Sequence, residues 1–158
     1  MRTVYRAFAY AVAVQVAVQA SLIAMATAGL GHWVENGHIF DKSVMAATTG
    51  PPPYPEAIGF ALHGINGTLI GPLIAVLLLV SSFFARVPGG VTWAAVVSAL
   101  VAGQVILGYA AHGLPVVGVG HGLTALLLFA AALHAGHRAR PPARATKSDV
   151  DELAGTTV

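Results

Sequence analysis

Residues 57–85 read AIGFALHGINGTLIGPLIAVLLLVSSFFA, a run of 29 positions without an Asp, Glu, Lys or Arg. An α-helix crosses the hydrocarbon core of a bilayer with about 20 apolar residues, so this stretch is long enough to span. It is also too apolar to be shielded from water by its own polar face. Pro51-Pro52-Pro53 precedes it and Pro88-Gly89-Gly90 follows it, residue types that end helices and make turns. Working outward, the same reading gives a first span at about 7–30, a third at about 91–113 and a fourth at about 116–135. The turn Gly113-Leu114-Pro115 separates the last two.

Composition agrees with this reading. The chain is 56% hydrophobic and 9% charged, with a mean hydropathy of +0.76. A soluble domain carries roughly 25% charged residues, so the expected solvent is lipid. The expected fold is all-α, an integral membrane four-helix bundle over residues 1–137 with a disordered, polar tail over 138–158. The sequence pI of about 9.3 would suggest nucleic acid in a soluble protein. Here the basic residues sit at helix ends and in the tail, not in a stripe, so no nucleic-acid partner is expected. The absence of cysteine excludes disulfides, thiolate nucleophiles and Cys-ligated clusters. Any metal must be held by histidine or by oxygen or thioether ligands.

Arg2, Arg6 and the run Ala26-Thr27-Ala28 give the first stretch a rival reading as a signal peptide. The apolar region is longer than the about 7–15 residues of a signal core, which favours a retained span. Positive charge sets orientation. Arg2, Arg6, Arg86, Arg138, Arg140, Arg144 and Lys147 fall on one side, whereas Lys42 stands on the other beside Glu35, Asp41 and Glu56. Both termini are therefore expected in the cytoplasm, with the protein in the plasma (inner) membrane. The connection from 31 to 56 is then the one long outer segment, and Trp33, Phe40, Tyr54, His32 and His38 suit it to capping the bundle.

Polar groups within lipid must find partners inside the bundle. Gln15 and Gln19 share a face of the first span, and Gln104 lies in the third; interhelical hydrogen bonding is the favoured role for all three. His63 and His121 lie about seven and five residues in from the outer ends of the second and fourth spans, depths of roughly 10 and 8 Å at about 1.5 Å per residue. Gly59, Gly67 and Gly71 line the helix stripe of His63, and Gly118, Thr124 and Ala125 flank His121. Such small residues serve either close helix packing or clearance for a flat macrocycle. Gln104, Gly108 and His112 form a third inward stripe. The segments His63-Gly64-Ile65 and His121-Gly122-Leu123 also suggest two hairpins related by a pseudo-twofold axis. Neutral imidazole is a strong axial ligand for haem iron, and two at matched depth on alternate helices point to haem b held by His63 and His121. Gly59, Gly67 and Gly118 would then lie beside it, with His112 as a reserve ligand or peripheral contact.

This layout resembles one four-helix half of a haem A synthase, and small bacterial four-span proteins of similar layout. The resemblance covers most of residues 5–137. It rests on the long outer first loop, Glu56 before the second span, His63 near the outer end of that span and His121 at the start of the fourth. In that family the matching histidines ligate haem. Here the Glu56–His63 spacing is longer, Gly64 stands where an arginine commonly follows, and the outer-loop cysteines of some members are missing. With one half present, the family's two-site oxidation chemistry would need a homodimer or another subunit. The resemblance thus implies a b-type cytochrome for electron transfer or haem handling, working with a redox or membrane-protein partner.

Other classes remain to be weighed. A haem-free interaction subunit of a larger membrane complex is the alternative, supported by the lack of any nucleophile constellation. A zinc site of His63, His112 and His121 is a third reading, weakened by the shallower position of His112. Transport is disfavoured, because no span carries a carboxylate beyond the boundary residue Glu56.

Overall fold

The structure is a computed structural model, describing residues 1–46 and 50–141; the expected disordered tail falls, from residue 142 onward, outside the described residues. The described chain is helical without strands, and it contains four helices long and apolar enough to cross a membrane: Arg2–Glu35, Pro55–Ala85, Gly90–Gly113 and Val117–Arg138. We refer to them as the first to fourth spans. Each runs somewhat beyond its apolar stretch, most of all the first. Its 34 residues would measure about 51 Å at about 1.5 Å per residue, against a hydrocarbon core of about 30 Å. The excess carries the helix to Asn36 and Gly37, where Gly37 takes the left-handed φ of 89° that ends it.

The first span packs against the second and fourth, and the third against the same two. The result is a square bundle in which the second and fourth spans stand diagonally. Its outward surface is apolar: Leu69, Leu73, Phe83, Phe84, Ile106, Val119 and Leu126 are all exposed. A water-soluble bundle would bury such residues, whereas in lipid they need no cover.

Packing is unequal along the bundle axis. At the end carrying the two termini, small residues let the helices close tightly: Ala9, Val12 and Ala13 meet Ala75, Leu78, Ala94, Val97, Ala131, Ala132 and Ala135 in one buried cluster. Buried Tyr5 closes that end by donating its hydroxyl to the carbonyl of Gly90 at 3.1 Å. Towards the opposite, loop end the cluster stops. There Leu22, Ile23, Leu107, Ala111 and Val117 stay partly exposed, while the first and second spans are drawn together by Ala26, Gly29, Tyr54 and Gly59.

The second span is not regular. It begins as a 3-10 turn at Pro55–Ala57 and continues as α-helix over Ile58–Ile65. It then widens into a π-turn over Asn66–Ile70 before resuming at Gly71–Ala85. Pro72 has no N–H to give to the carbonyl four residues earlier, and the preceding N–H, of Gly71, reaches five residues back to Asn66. Single π-turns of this kind are frequent at functional sites, and this one starts three residues after His63.

Candidate functional site: a pair of clamped imidazoles

His63 and His121 come together. Their ring centroids are 6.3 Å apart and their planes are inclined at 66°, although the residues sit on diagonal helices. Both side chains are partly buried at the loosely packed level of the bundle.

Each ring is oriented by the neighbouring span of its own hairpin. His63 Nδ1 lies 3.0 Å from the backbone carbonyl of Gln19, and the Gln19 side-chain Nε2 donates back to the carbonyl of His63 at 2.9 Å. The second hairpin repeats the arrangement: His121 Nδ1 is 3.1 Å from the carbonyl of Gln104, whose Nε2 donates to the carbonyl of His121 at 2.9 Å. A carbonyl only accepts, so each Nδ1 carries the proton. In neutral imidazole that leaves Nε2 with its lone pair directed away from the clamp. Metal-ligating histidines are typically held in this way, the second nitrogen donating to a carbonyl and so fixing tautomer and ring orientation.

The separation can be compared with what a shared ion would require. Two metal–imidazole bonds of about 2 Å, each with roughly 1 Å more to the ring centre, sum to about 6 Å when the rings lie on opposite sides of one ion. At a tetrahedral angle the same bonds bring the centres to about 5 Å. The observed 6.3 Å is close to the first of these values, and it is also a separation at which two rings pack edge to face.

The other expected site residues are placed as follows. His112 is exposed and its Nδ1 lies 3.0 Å from the carbonyl of Gly108 in its own helix. Among the described residues no three His, Cys, Asp or Glu side chains cluster as metal ligands, so the three-histidine zinc reading lacks its third donor. Gly59 serves helix packing: a methyl group there would lie 2.5 Å from the carbonyl oxygen of Leu22. Gly67 makes room for the clamp, since a methyl would lie 2.5 Å from Gln19 Nε2. A methyl on Gly118 would meet nothing within 4 Å, and one on Gly108 would lie 3.4 Å from His121 Cε1.

Gln19 and Gln104 make the interhelical hydrogen bonds expected of them, each to the backbone carbonyl of a histidine. Their regular spacing from small residues was visible, but the reciprocal bonds were not. Gln15 Nε2 and Gln19 Oε1 are buried without hydrogen-bond partners, leaving a polar spot one helical turn below the His63 clamp. The loop end above the first hairpin is covered by aromatic side chains. Trp33 stacks on His38 at 4.8 Å and packs on Tyr54 at 5.7 Å, and the Tyr54 hydroxyl donates to the carbonyl of Ala26 at 3.3 Å. His134, at the other end of the bundle, packs on Trp93 with centroids 4.2 Å apart.

No protein-family model matches the chain, and neither a curated protein nor a solved structure does so. Fold and site together define a four-helix protein with apolar candidate spans and a paired-imidazole centre.

Proposed function

We propose that the protein is a membrane haem-b protein with His63 and His121 as axial ligands. The observation that carries this reading is the clamped pair: two imidazoles from different hairpins, each with Nδ1 engaged by a backbone carbonyl, their ring centres 6.3 Å apart. When bound, haem supplies one-electron redox chemistry, and two histidine ligands leave no open position for oxygen. Electron transfer or haem handling fits that coordination better than oxygenase chemistry. Gln19 and Gln104 position the ligands, Gly67 and Gly108 give them space, and the Trp33–Tyr54 cap limits water at one side.

Charge supports an orientation for this centre. Arg2, Arg6, Arg86, Arg138 and Arg140 lie at the terminal end, whereas Lys42 shares the loop end with Glu35, Asp41 and Glu56. By the positive-inside rule the termini are cytoplasmic, and the haem centre lies towards the outer leaflet of the plasma membrane.

The test is a reduced-minus-oxidised absorption spectrum of protein purified from haem-replete cells. A sharp α-band is expected on reduction, lost in His63→Ala and in His121→Ala. A wild-type protein without the band, or variants that keep it undiminished, would overturn the reading. The first result would leave a haem-free interaction subunit.

A further inference from the structure

At the terminal end, Leu133, His134, His137 and Arg138 line a shallow, open groove along the last turns of the fourth span. The Arg138 guanidinium is already fixed. Its Nε and one terminal nitrogen donate to the carbonyl of Pro88 at 3.3 and 3.1 Å, and among the described residues the other terminal nitrogen has no hydrogen-bond partner. Gly89 makes this possible with a left-handed φ of 69°. Trp93 backs His134, placing an indole at the level where tryptophan prefers the membrane–water interface.

The charge around this groove is unbalanced. In the sequence, Arg2, Arg6, Arg86, Arg138, Arg140, Arg144 and Lys147 belong to the segments of this end, against the three tail carboxylates Asp149, Asp151 and Glu152, so the end is net basic; among the described residues no ion pair forms with its arginines. A guanidinium held in one orientation beside an apolar wall, at interface depth, matches a phosphate with acyl chains attached. Arginine binds phosphate through paired, charge-assisted N–H donors, and an ordered side chain loses less entropy on doing so.

We propose that this groove is a binding site for the headgroup phosphate of an anionic phospholipid, with Arg138 as the principal contact and His134 and His137 as further donors. The acyl chains lie along Leu133. The site is independent of the imidazole pair, from which it is separated by the packed core.

The experiment titrates the purified full-length protein, in a neutral detergent, with phosphatidylglycerol, phosphatidylcholine or inorganic phosphate, and counts bound lipid by native mass spectrometry. Phosphatidylglycerol is expected to bind ahead of phosphatidylcholine, and inorganic phosphate not at all. Arg138→Gln should weaken phosphatidylglycerol at least about tenfold, the loss expected for a charge-assisted hydrogen bond. His134→Ala with His137→Ala, which keeps Arg138 in place, should weaken it as well. Arg86→Gln removes the same charge outside the groove and should weaken binding by no more than the diffuse contribution of one surface cation, about fivefold. Equal losses in Arg138→Gln and Arg86→Gln would show a diffuse field and overturn the site. So would phosphate binding without lipid binding, or equal affinity for the two lipids.

Discussion

Replacing Gly59 by alanine tests whether the loop end of the bundle is set by backbone contact between the first two spans. The added methyl would lie 2.5 Å from the Leu22 carbonyl oxygen, 3.0 Å from Ala26 Cβ and 3.2 Å from Met25 Cε. Against an ordinary contact of about 3.5 Å, the shortfall is about 1 Å, and the nearest obstacle is backbone that cannot rotate aside. Overpacking of this kind costs about 1–3 kcal/mol. If the spans part by about 1 Å, the two clamp bonds between Gln19 and His63, at 2.9 and 3.0 Å, leave the hydrogen-bonding range. Each is worth on average about 0.6 kcal/mol in a membrane bundle. Against this, Gly→Ala in a helix gains up to about 1 kcal/mol, so the net expectation is a loss of about 2 kcal/mol. Gly118→Ala has the same helix gain and no clash, because nothing lies within 4 Å; it should be neutral or more stable by up to about 1 kcal/mol. Reversible unfolding in mixed micelles, followed by circular dichroism, measures both. Equal stability of the two variants would refute the close-contact argument.

Three further outcomes follow from the same geometry. Gln19→Leu and Gln104→Leu each remove a side-chain donor to a histidine carbonyl and should lower haem affinity at least about tenfold, as losses around metal ligands do; unchanged affinity in a haem titration would remove their positioning role. In haem-free protein, His63→Ala with His121→Ala should cost only about 1 kcal/mol for two interhelical bonds, read by the same unfolding assay, and a collapse of the fold would make the pair structural. Two groups outside the spans should give opposite pH responses. The Ser43 hydroxyl and the Ser43 and Val44 N–H groups hold Asp41 below the usual carboxylate range, so its cap on the short helix Lys42–Ala46 persists at neutral pH and is lost as pH falls through that lowered value. Burial, helped by Glu56, raises Tyr54 above the usual phenol range. Its support for the fold is intact below that usual range and is lost as pH rises through the raised value. Amide exchange at Ser43 and alkaline unfolding of Tyr54→Phe against wild type check the two directions.

The four long helices were legible because hydropathy and turn residues act locally, and lipid leaves few alternatives to a helix. Boundaries were less so, since the helix beyond Leu30 and into Glu35 continues where hydrophobicity has already ended. His63 and His121 could be matched in depth by counting residues, but their 6.3 Å approach depends on which spans stand diagonally. The glycines were ambiguous for a physical reason: sequence does not say what lies opposite. Gly59 faces a carbonyl and Gly67 an amide, whereas Gly118 faces open space. The π-turn at Asn66–Ile70 had a signal in Pro72, whose missing N–H must be absorbed somewhere in the preceding turn. Periodicity alone gives no means of choosing between a kink and a π-turn.

The two clamps also show how unequal connections can carry equal sites. Gln19 and His63 are 44 residues apart, Gln104 and His121 only 17. Because closure entropy grows as the logarithm of length, the longer connection costs only about 0.8 kcal/mol more. A modest energetic gain offsets that, and the Tyr54 hydroxyl bond with its stacked neighbours supplies one over the first hairpin alone. The cost of leaving the centre loosely packed is met elsewhere, by the buried cluster at the terminal end. A bundle stabilised at one end can hold two imidazoles in fixed orientation at the other, without depending on a ligand to fold.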